Sequence, residues 1–260
     1  MHLSVIRRAM KRATAIEIPS ELHRALHRAR FVAALTGAGI SAESGVATFR
    51  DAQTGLWAQF NPLELATPGA FARNPKRVWD WYAWRRERVA SVEPNDGHRA
   101  LVELERQVPE FLLVTQNVDG LHQRAGSRKL VELHGNIGRV KCSREGTIVE
   151  EWSATEGEVP RCANCGAFLR PDVVWFEELL PEGALAAAEN AARGCEVLLV
   201  IGTSAEVYPA AGLPMLAHEH GALIVEINPN ETPLSARADY VLRSASGIVL
   251  PRLVSAALAP

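Results

Sequence analysis

Cysteine is scarce in this chain, with four in 260 residues, and two of those fall together in Cys162-Ala163-Asn164-Cys165. That usage excludes a disulfide-stapled scaffold and points to a metal or to free thiols in a reducing compartment. Long apolar runs are missing too: no stretch reaches the roughly 20 residues that cross a bilayer, so a soluble, cytoplasmic protein is expected. Neither sign of charge prevails. With 28 Lys and Arg against 30 Asp and Glu, the net charge of -2 gives no global field for nucleic acid. Arg7, Arg8, Lys11 and Arg12 make the N-terminus locally basic, but no apolar segment follows as a targeting peptide would require, and residues 1–19 read as a solvated extension.

What is present centres on Thr36 to Asp51, TGAGISAESGVATFRD, directly behind the apolar run Arg30 to Leu35. A buried strand ending in Gly37-x-Gly39-x-x-Ala42 predicts a turn into a helix whose first amides can hold a phosphate. Gly37 permits the turn, Gly39 lets the backbone approach a pyrophosphate, and Ala42 lets the helix lie close to the strand. Taken alone the match also fits a plain structural turn. A hydride-transfer enzyme would continue into a second strand ending in an acid about 20 residues on. Instead Ser44 to Asp51 breaks into a loop carrying Phe49, Arg50 and Asp51, placed to cover a ligand.

Further along, periodicity predicts a helix over Glu21 to Arg30 and loop over Trp57 to Pro68. Pro75 to Val89, with three of the six tryptophans, reads as an inserted amphipathic helix beside the sheet, closed by a turn at Pro94 to Gly97. Strands are predicted at Phe111–Thr115, Leu130–Leu133, Val197–Ile201 and Leu223–Ile227, and a helix at Val249–Leu258. Each of these strands delivers small or polar residues: Gln116-Asn117-Val118-Asp119, His134-Gly135-Asn136, Gly202-Thr203-Ser204 and Asn228-Pro229-Asn230. Their repetition after buried runs points to one shared crevice at the strands' carboxyl ends.

Between Arg139 and Leu169 the long apolar runs stop, and Cys142 precedes Cys162-x-x-Cys165. This is a zinc-ribbon-like module with Glu145 where a fourth thiolate would stand. Two readings stay open: zinc held by Cys142, Cys162 and Cys165 with a carboxylate, or a ribbon that has lost its metal. Cys195, just before a strand, reads as an inert buried thiol.

GAGISAESGVATFRD, TQNVDGLHQRAG, ELHGN, LRPDVVWF, GTSAEVYPAA and INPNETP occur in this order, and on them the chain resembles the sirtuins, NAD-dependent protein lysine deacylases. Tyr82-x-x-Arg85 and Ala66 make it similar to the class III, desuccinylase-like branch. The resemblance implies a Rossmann-like parallel α/β domain (20–50, 96–138, 170–260) and a small domain from the helical insertion and cysteine module (51–95, 139–169). It implies a reaction that consumes NAD, takes succinyl, malonyl or acetyl from lysine of a protein or peptide, and releases nicotinamide and O-acyl-ADP-ribose. By the same resemblance His134 is the general base and Asn117 orients ribose or water. Gly37, Ala38, Gly39, Ile40, Ser41, Phe49, Arg50, Trp57, Gln116, Asp119, Gly202, Thr203, Ser204, Asn228, Asn230 and Ser246 contact NAD. Ala66, Tyr82, Arg85, Val174, Trp175 and Phe176 form the acyl-lysine side. Glu145, and Glu177 where the family usually has Gly, depart from the pattern. An NAD glycohydrolase or ADP-ribosyltransferase, and a non-catalytic NAD-binding regulator, are the competing classes. Intact His134 and Asn117 weigh against the regulator, and Val173 to Phe176 against a pure hydrolase.

Overall fold

The computed structural model describes residues 17–48, 61–153 and 157–257. Its frame is a six-stranded parallel sheet in the order β3-β2-β1-β6-β7-β8, with β1 Phe31–Thr36, β2 Glu110–Thr115, β3 Leu130–Glu132, β6 Val197–Ile201, β7 Leu223–Ile227 and β8 Tyr240–Leu242. These strands are apolar on both faces because helices cover both. On one side Val32, Ala34, Leu113 and Leu199 pack with Leu22 and Leu26 of α1 (Ser20–Arg28), Leu101 and Leu104 of α4 (Asp96–Gln107), and Leu250 and Leu253 of α8 (Ser246–Ala257). On the other, Ala33, Leu35, Leu198 and Val200 meet Ala188 and Ala192 of α6 (Glu182–Gly194) and Leu213 and Ala217 of α7 (Leu213–Glu219). The result is the Rossmann-like sheet expected.

Register then sets the site. Thr36 pairs with both Thr115 and Ile201, Thr115 with Glu132, Ile201 with Ile227, and Ile227 with Leu242. The last residues of all six strands therefore form one row, and whatever follows each strand stands on a common rim.

A second, antiparallel pair, β4 Gly135–Cys142 and β5 Leu169–Val173, carries the cysteine module at its end, where Cys142 faces Leu169. Two helices pack here, α2 (Pro68–Arg73) and α3 (Pro75–Ala90), each starting with Pro behind a side-chain cap, Thr67 and Asn74. The bulk of the tryptophan-rich helix suggests packing beside the sheet, and the resemblance joins it to the cysteine module. Val78 and Tyr82 pack with Ile137, Val173 and Trp175, and Trp79 with Val140 and Leu169, so the surface it meets is the small antiparallel pair. Period alone tells which face of a helix is apolar, not which surface receives it.

Three further expectations change. The Gly-rich turn leads not into an α-helix but into a 3-10 segment, Ala38–Ser44, ended by Gly45 in the left-handed region. Pro94 to Gly97 opens a helix rather than only closing the insertion: Asn95 Oδ1 accepts from Gly97 and His98 amides while His98 Nδ1 accepts from the Asn95 amide, a reciprocal cap that starts α4. α6, β4, β5 and β8 were not foreseen, being Ala-rich, interrupted by Gly or Pro, or three residues long. Among the described residues no helix is long and apolar enough to cross a membrane.

Candidate active site

At the centre of the rim β1 and β6 end side by side. Gly37 N donates to Ile201 O at 3.0 Å and Gly39 N to Gly202 O at 2.8 Å. A Cβ on Gly39 would lie 2.7 Å from Gly202 Cα, and one on Gly202, at φ +59°, would lie 2.5 Å from Ile40 N. Only glycines let these two loops touch backbone to backbone.

Around this contact lies a buried polar network. Thr36 Oγ1 donates to Thr115 Oγ1 at 2.8 Å, which accepts in turn from the Asn117 amide at 3.1 Å. Asn117 Nδ2 reaches Gly37 O at 3.1 Å and Ser41 Oγ at 3.2 Å, and Ser41 Oγ donates to Asp119 Oδ2 at 2.7 Å. Both amide hydrogens of Asn117 are thereby committed, so the group it offers to a ligand is Oδ1. Burial pushes the Asp119 carboxyl up, opposed by the Leu121 amide, the Ser41 hydroxyl and the charge of Arg85.

His134, half-buried, stands at the end of β3. Its Nδ1 lies 2.8 Å from Gln116 O, and a carbonyl accepts only, so Nδ1 carries the hydrogen and Nε2 the lone pair. Burial lowers its pKa below the ordinary 6.5, with the Gln116 bond pulling the other way. Gln116 is itself fixed by Nε2 donating to Thr203 Oγ1 at 3.0 Å. Asn228 braces the next loop, Nδ2 to Thr203 O at 2.9 Å and Oδ1 from the Asn230 amide at 3.0 Å. Ser204 follows on the same rim, while Ser246 is buried beside Glu43, whose carboxylate accepts from Gly247 N at 2.7 Å. Phe49, Arg50 and Trp57 lie outside the described residues.

Ala66, Tyr82 and Trp175 share one cluster with Val118, next door to Asp119. Tyr82 Oη accepts from Trp175 Nε1 at 3.0 Å. The Arg85 guanidinium carbon lies 4.8 Å from the Trp81 ring centre and 5.5 Å from that of Tyr82. Burial depresses Arg85 while Tyr82 and Asp119 raise it. Val174 N donates to His134 O at 2.9 Å and Phe176 N to Ala66 O at 3.0 Å, so this segment ties the two groups together. Phe176 is exposed, and Glu177 beside it has φ +74°, a left-handed backbone that Gly would adopt more easily.

Sequence reasoning missed part of the support. His98 Nε2 lies 3.4 Å from Ser41 Oγ, His122 Nε2 lies 3.0 Å from Thr36 Oγ1, and the two rings are 4.8 Å apart. Glu226 is buried in β7, accepting from Thr232 Oγ1, Ser235 Oγ and Arg243 Nη1, and Arg243 also holds Asn230 O at 2.8 Å. An acid inside the apolar run Leu223–Ile227 was the available signal for the last pair.

The cysteine module assembles as well. Donor atoms of Cys142, Glu145, Cys162 and Cys165 lie within 4.8 Å of one another, and Cys142 Sγ and Cys165 Sγ are 3.4 Å apart. Tetrahedral zinc with bonds near 2.3 Å needs sulfurs about 3.8 Å apart, so the set could hold the ion, with Glu145 offering a fourth donor. Cys195 sits apart in the sheet cluster, its thiol pushed up to about 11 by burial, as an inert thiol should be.

The Sir2 family model matches residues 37–209. The chain belongs to the Sir2 family. It is 54% identical to an NAD-dependent protein deacylase of Aquifex aeolicus over 80% of this chain and 87% of that one. With one of Ralstonia nicotianae it shares 51% over 91% and 96%. It superposes on a Sir2 homolog–NAD complex with a TM-score of 0.87 at 46% identity, covering 93% of this chain and 94% of that one. On a Sir2–p53 peptide–NAD+ complex the TM-score is 0.79 at 32% identity, over 92% and 98%.

Two measurements follow. Burial depresses His98 to about 4 and His122 to about 3 from 6.5, so both are neutral when folded and the unfolded chain binds their protons first. Their contribution is complete above pH 6.5 and is lost as pH falls through 6.5 toward those values, on the order of a few kcal/mol. Urea midpoints at pH 7.5 and 5 should differ, and a His98→Gln, His122→Gln variant should flatten the difference; an unchanged slope contradicts the assignment. Elemental analysis should find about one zinc per chain, with Glu145→Ala losing it to chelator faster. Folded protein with zinc near zero would mean that the ribbon stands by packing alone.

Proposed function

We propose that this chain is an NAD-dependent protein lysine deacylase that removes carboxylated acyl groups, succinyl and malonyl, and acetyl, with NAD as co-substrate. The observation that carries the reading is His134. Its Nδ1 hydrogen is held by Gln116 O, which leaves a basic Nε2 on the same rim as Asn117 Oδ1. Water, NAD and acyl-lysine would yield nicotinamide, O-acyl-ADP-ribose and free lysine. The bond from ribose to nicotinamide breaks as the acyl oxygen bonds to the ribosyl carbon, and no protein nucleophile is needed.

The residues divide the work. Gly37 to Ser41, Gln116 and Gly202 to Ser204 would cradle NAD, with Asn228 and Asn230 toward its adenosine ribose and Ser246 toward the adenine. Asp119, its Oδ2 already accepting from Ser41, would accept from the nicotinamide carboxamide. His134 Nε2 takes a proton from a ribose hydroxyl, a base placed by its own hydrogen bond. Zinc at Cys142, Glu145, Cys162 and Cys165 would hold the ribbon and take no part in proton transfer. The peptide would pass Val174 to Glu177, where the Glu177 side chain changes the surface that Gly would leave bare. Tyr82 and Arg85, three residues apart on α3, would meet the acyl carboxylate, and Ala66 leaves it room.

Mixing the protein with NAD, with and without an acyl-lysine peptide, tests the class. Nicotinamide release that needs the peptide supports a deacylase, release without it a glycohydrolase, and none a regulator. His134→Ala should cost about 100 to 10,000-fold in kcat while the fold persists. Because its pKa is lowered, the acid limb of kcat/KM should fall below pH 6.5, activity being lost as His134 gains its proton. A charged hydrogen bond is worth about 1.5 to 3 kcal/mol, so Arg85→Met should cut desuccinylation about 10 to 100-fold relative to deacetylation. A ratio that does not move would reduce the activity to plain deacetylation.

A further inference from the structure

The contacts of Trp175 differ from those of a space-filling tryptophan. The ring is 3% exposed, in a cluster with Leu65, Phe71 and Ile137, and bulk alone would account for that. Its edges are held as well. The Arg170 guanidinium carbon lies 3.3 Å from the ring centre, a close cation–π contact with a side chain only 8% exposed. Arg170 is fixed by Glu178, with Nη1 to Oε1 at 2.5 Å and Nη2 to Oε2 at 2.9 Å, and by Nη2 to Val173 O at 2.8 Å. The same Glu178 Oε2 accepts from the Trp175 amide at 2.8 Å. A buried ion pair is a costly way to pack an indole, and it locks ring position and rotation.

What that lock aims is the indole N–H. It donates to Tyr82 Oη at 3.0 Å, and an indole nitrogen can only donate, so the phenol oxygen is the acceptor there. A phenol hydrogen lies near the ring plane, on one side of the oxygen or the other. With Trp175 on one side, and the Arg85 guanidinium, which can only donate, also hydrogen-bonded to the phenol, the Tyr82 hydrogen is turned away from the indole. Burial also raises the Tyr82 pKa, keeping the phenol protonated and able to donate.

We propose that Trp175 is a positioning residue for acyl selectivity: held by Arg170 and Glu178, its N–H orients Tyr82 as a hydrogen-bond donor to the carboxylate of the acyl group. This rests on the reading above, in which Tyr82 and Arg85 meet a succinyl or malonyl group. Loss of the N–H frees the phenol to turn its hydrogen the wrong way, and a carboxylate substrate feels this where an acetyl group does not.

Trp175→Phe keeps a ring over Arg170 and removes the donor together with one fused ring of the indole. The ratio of desuccinylation to deacetylation kcat/KM should fall about five- to tenfold, mainly through a higher KM for succinyl-lysine peptide. In a Tyr82→Phe background the same change should leave the ratio where Tyr82→Phe put it, since the effect passes through the phenol. Glu178→Gln, which loosens Arg170 at its far end, should lower the ratio in the same direction and serves if Trp175→Phe does not fold. Both activities falling in parallel, or full additivity with Tyr82→Phe, would overturn the proposal. A ratio that responds to Arg85→Met but not to Trp175→Phe removes this inference alone; one that responds to neither removes the acyl reading and this with it.

Discussion

The contact between Gly39 and Gly202 is the constraint on which the rest of the site depends. Two central parallel strands end in loops that pack backbone against backbone, Gly39 N on Gly202 O at 2.8 Å, with no room for a Cβ on either side. Because the strand ends are in register, that closeness draws Thr36, Thr115 and Ile201 level and brings Asn117, Thr203 and Asn228 within hydrogen-bond reach of the same two loops. The polar groups that could meet a dinucleotide are thus positioned by main chain, which keeps them fixed whatever their side-chain entropy.

Histidine does two different jobs within one sheet edge, and environment separates them. His98 and His122 are almost fully buried, each with Nε2 against a hydroxyl, and stay neutral far into acid because burial penalises the charged ring, with Arg99 beside His98 and His98 beside His122 adding to it. They brace Ser41 and Thr36 from behind. His134 is half-buried, bonded only on its Nδ1 side to a backbone carbonyl, and keeps a lone pair at the rim. The same side chain is scaffold in one place and, in the proposed reading, base in the other.

The small antiparallel pair joins this rim to the cluster of Ala66, Tyr82 and Trp175. β4 leaves directly from His134, β5 returns into Val174, and the Val174 amide closes on His134 O at 2.9 Å. The cysteine cluster lies at the far end of this ribbon, and Trp79 and Trp152 pack edge to face nearby, 5.2 Å apart. The ribbon thus runs from the cysteine cluster to the segment that holds Trp175 and Tyr82.

The alternation of apolar runs with polar strand ends was enough to read a parallel sheet and a crevice at its carboxyl edge, since burial on both faces leaves continuous Val, Leu and Ile runs. The six motifs named the family, and His134, Asn117 and Asp119 were legible because they follow strands directly. Local pattern could not show where the tryptophan-rich helix docks, that His98 and His122 meet across 24 residues, or that Glu145 closes on three thiols. Each depends on chain segments far apart in sequence. The bond from Trp175 to Tyr82 spans 93 residues, and no spacing rule contains it. The sequence by itself determined the apolar strands of the main sheet and the polar residues that follow them; the tertiary structure decided which side chains are held by which, because a hydrogen bond's direction and a ring's orientation are set by packing between segments that share no local period.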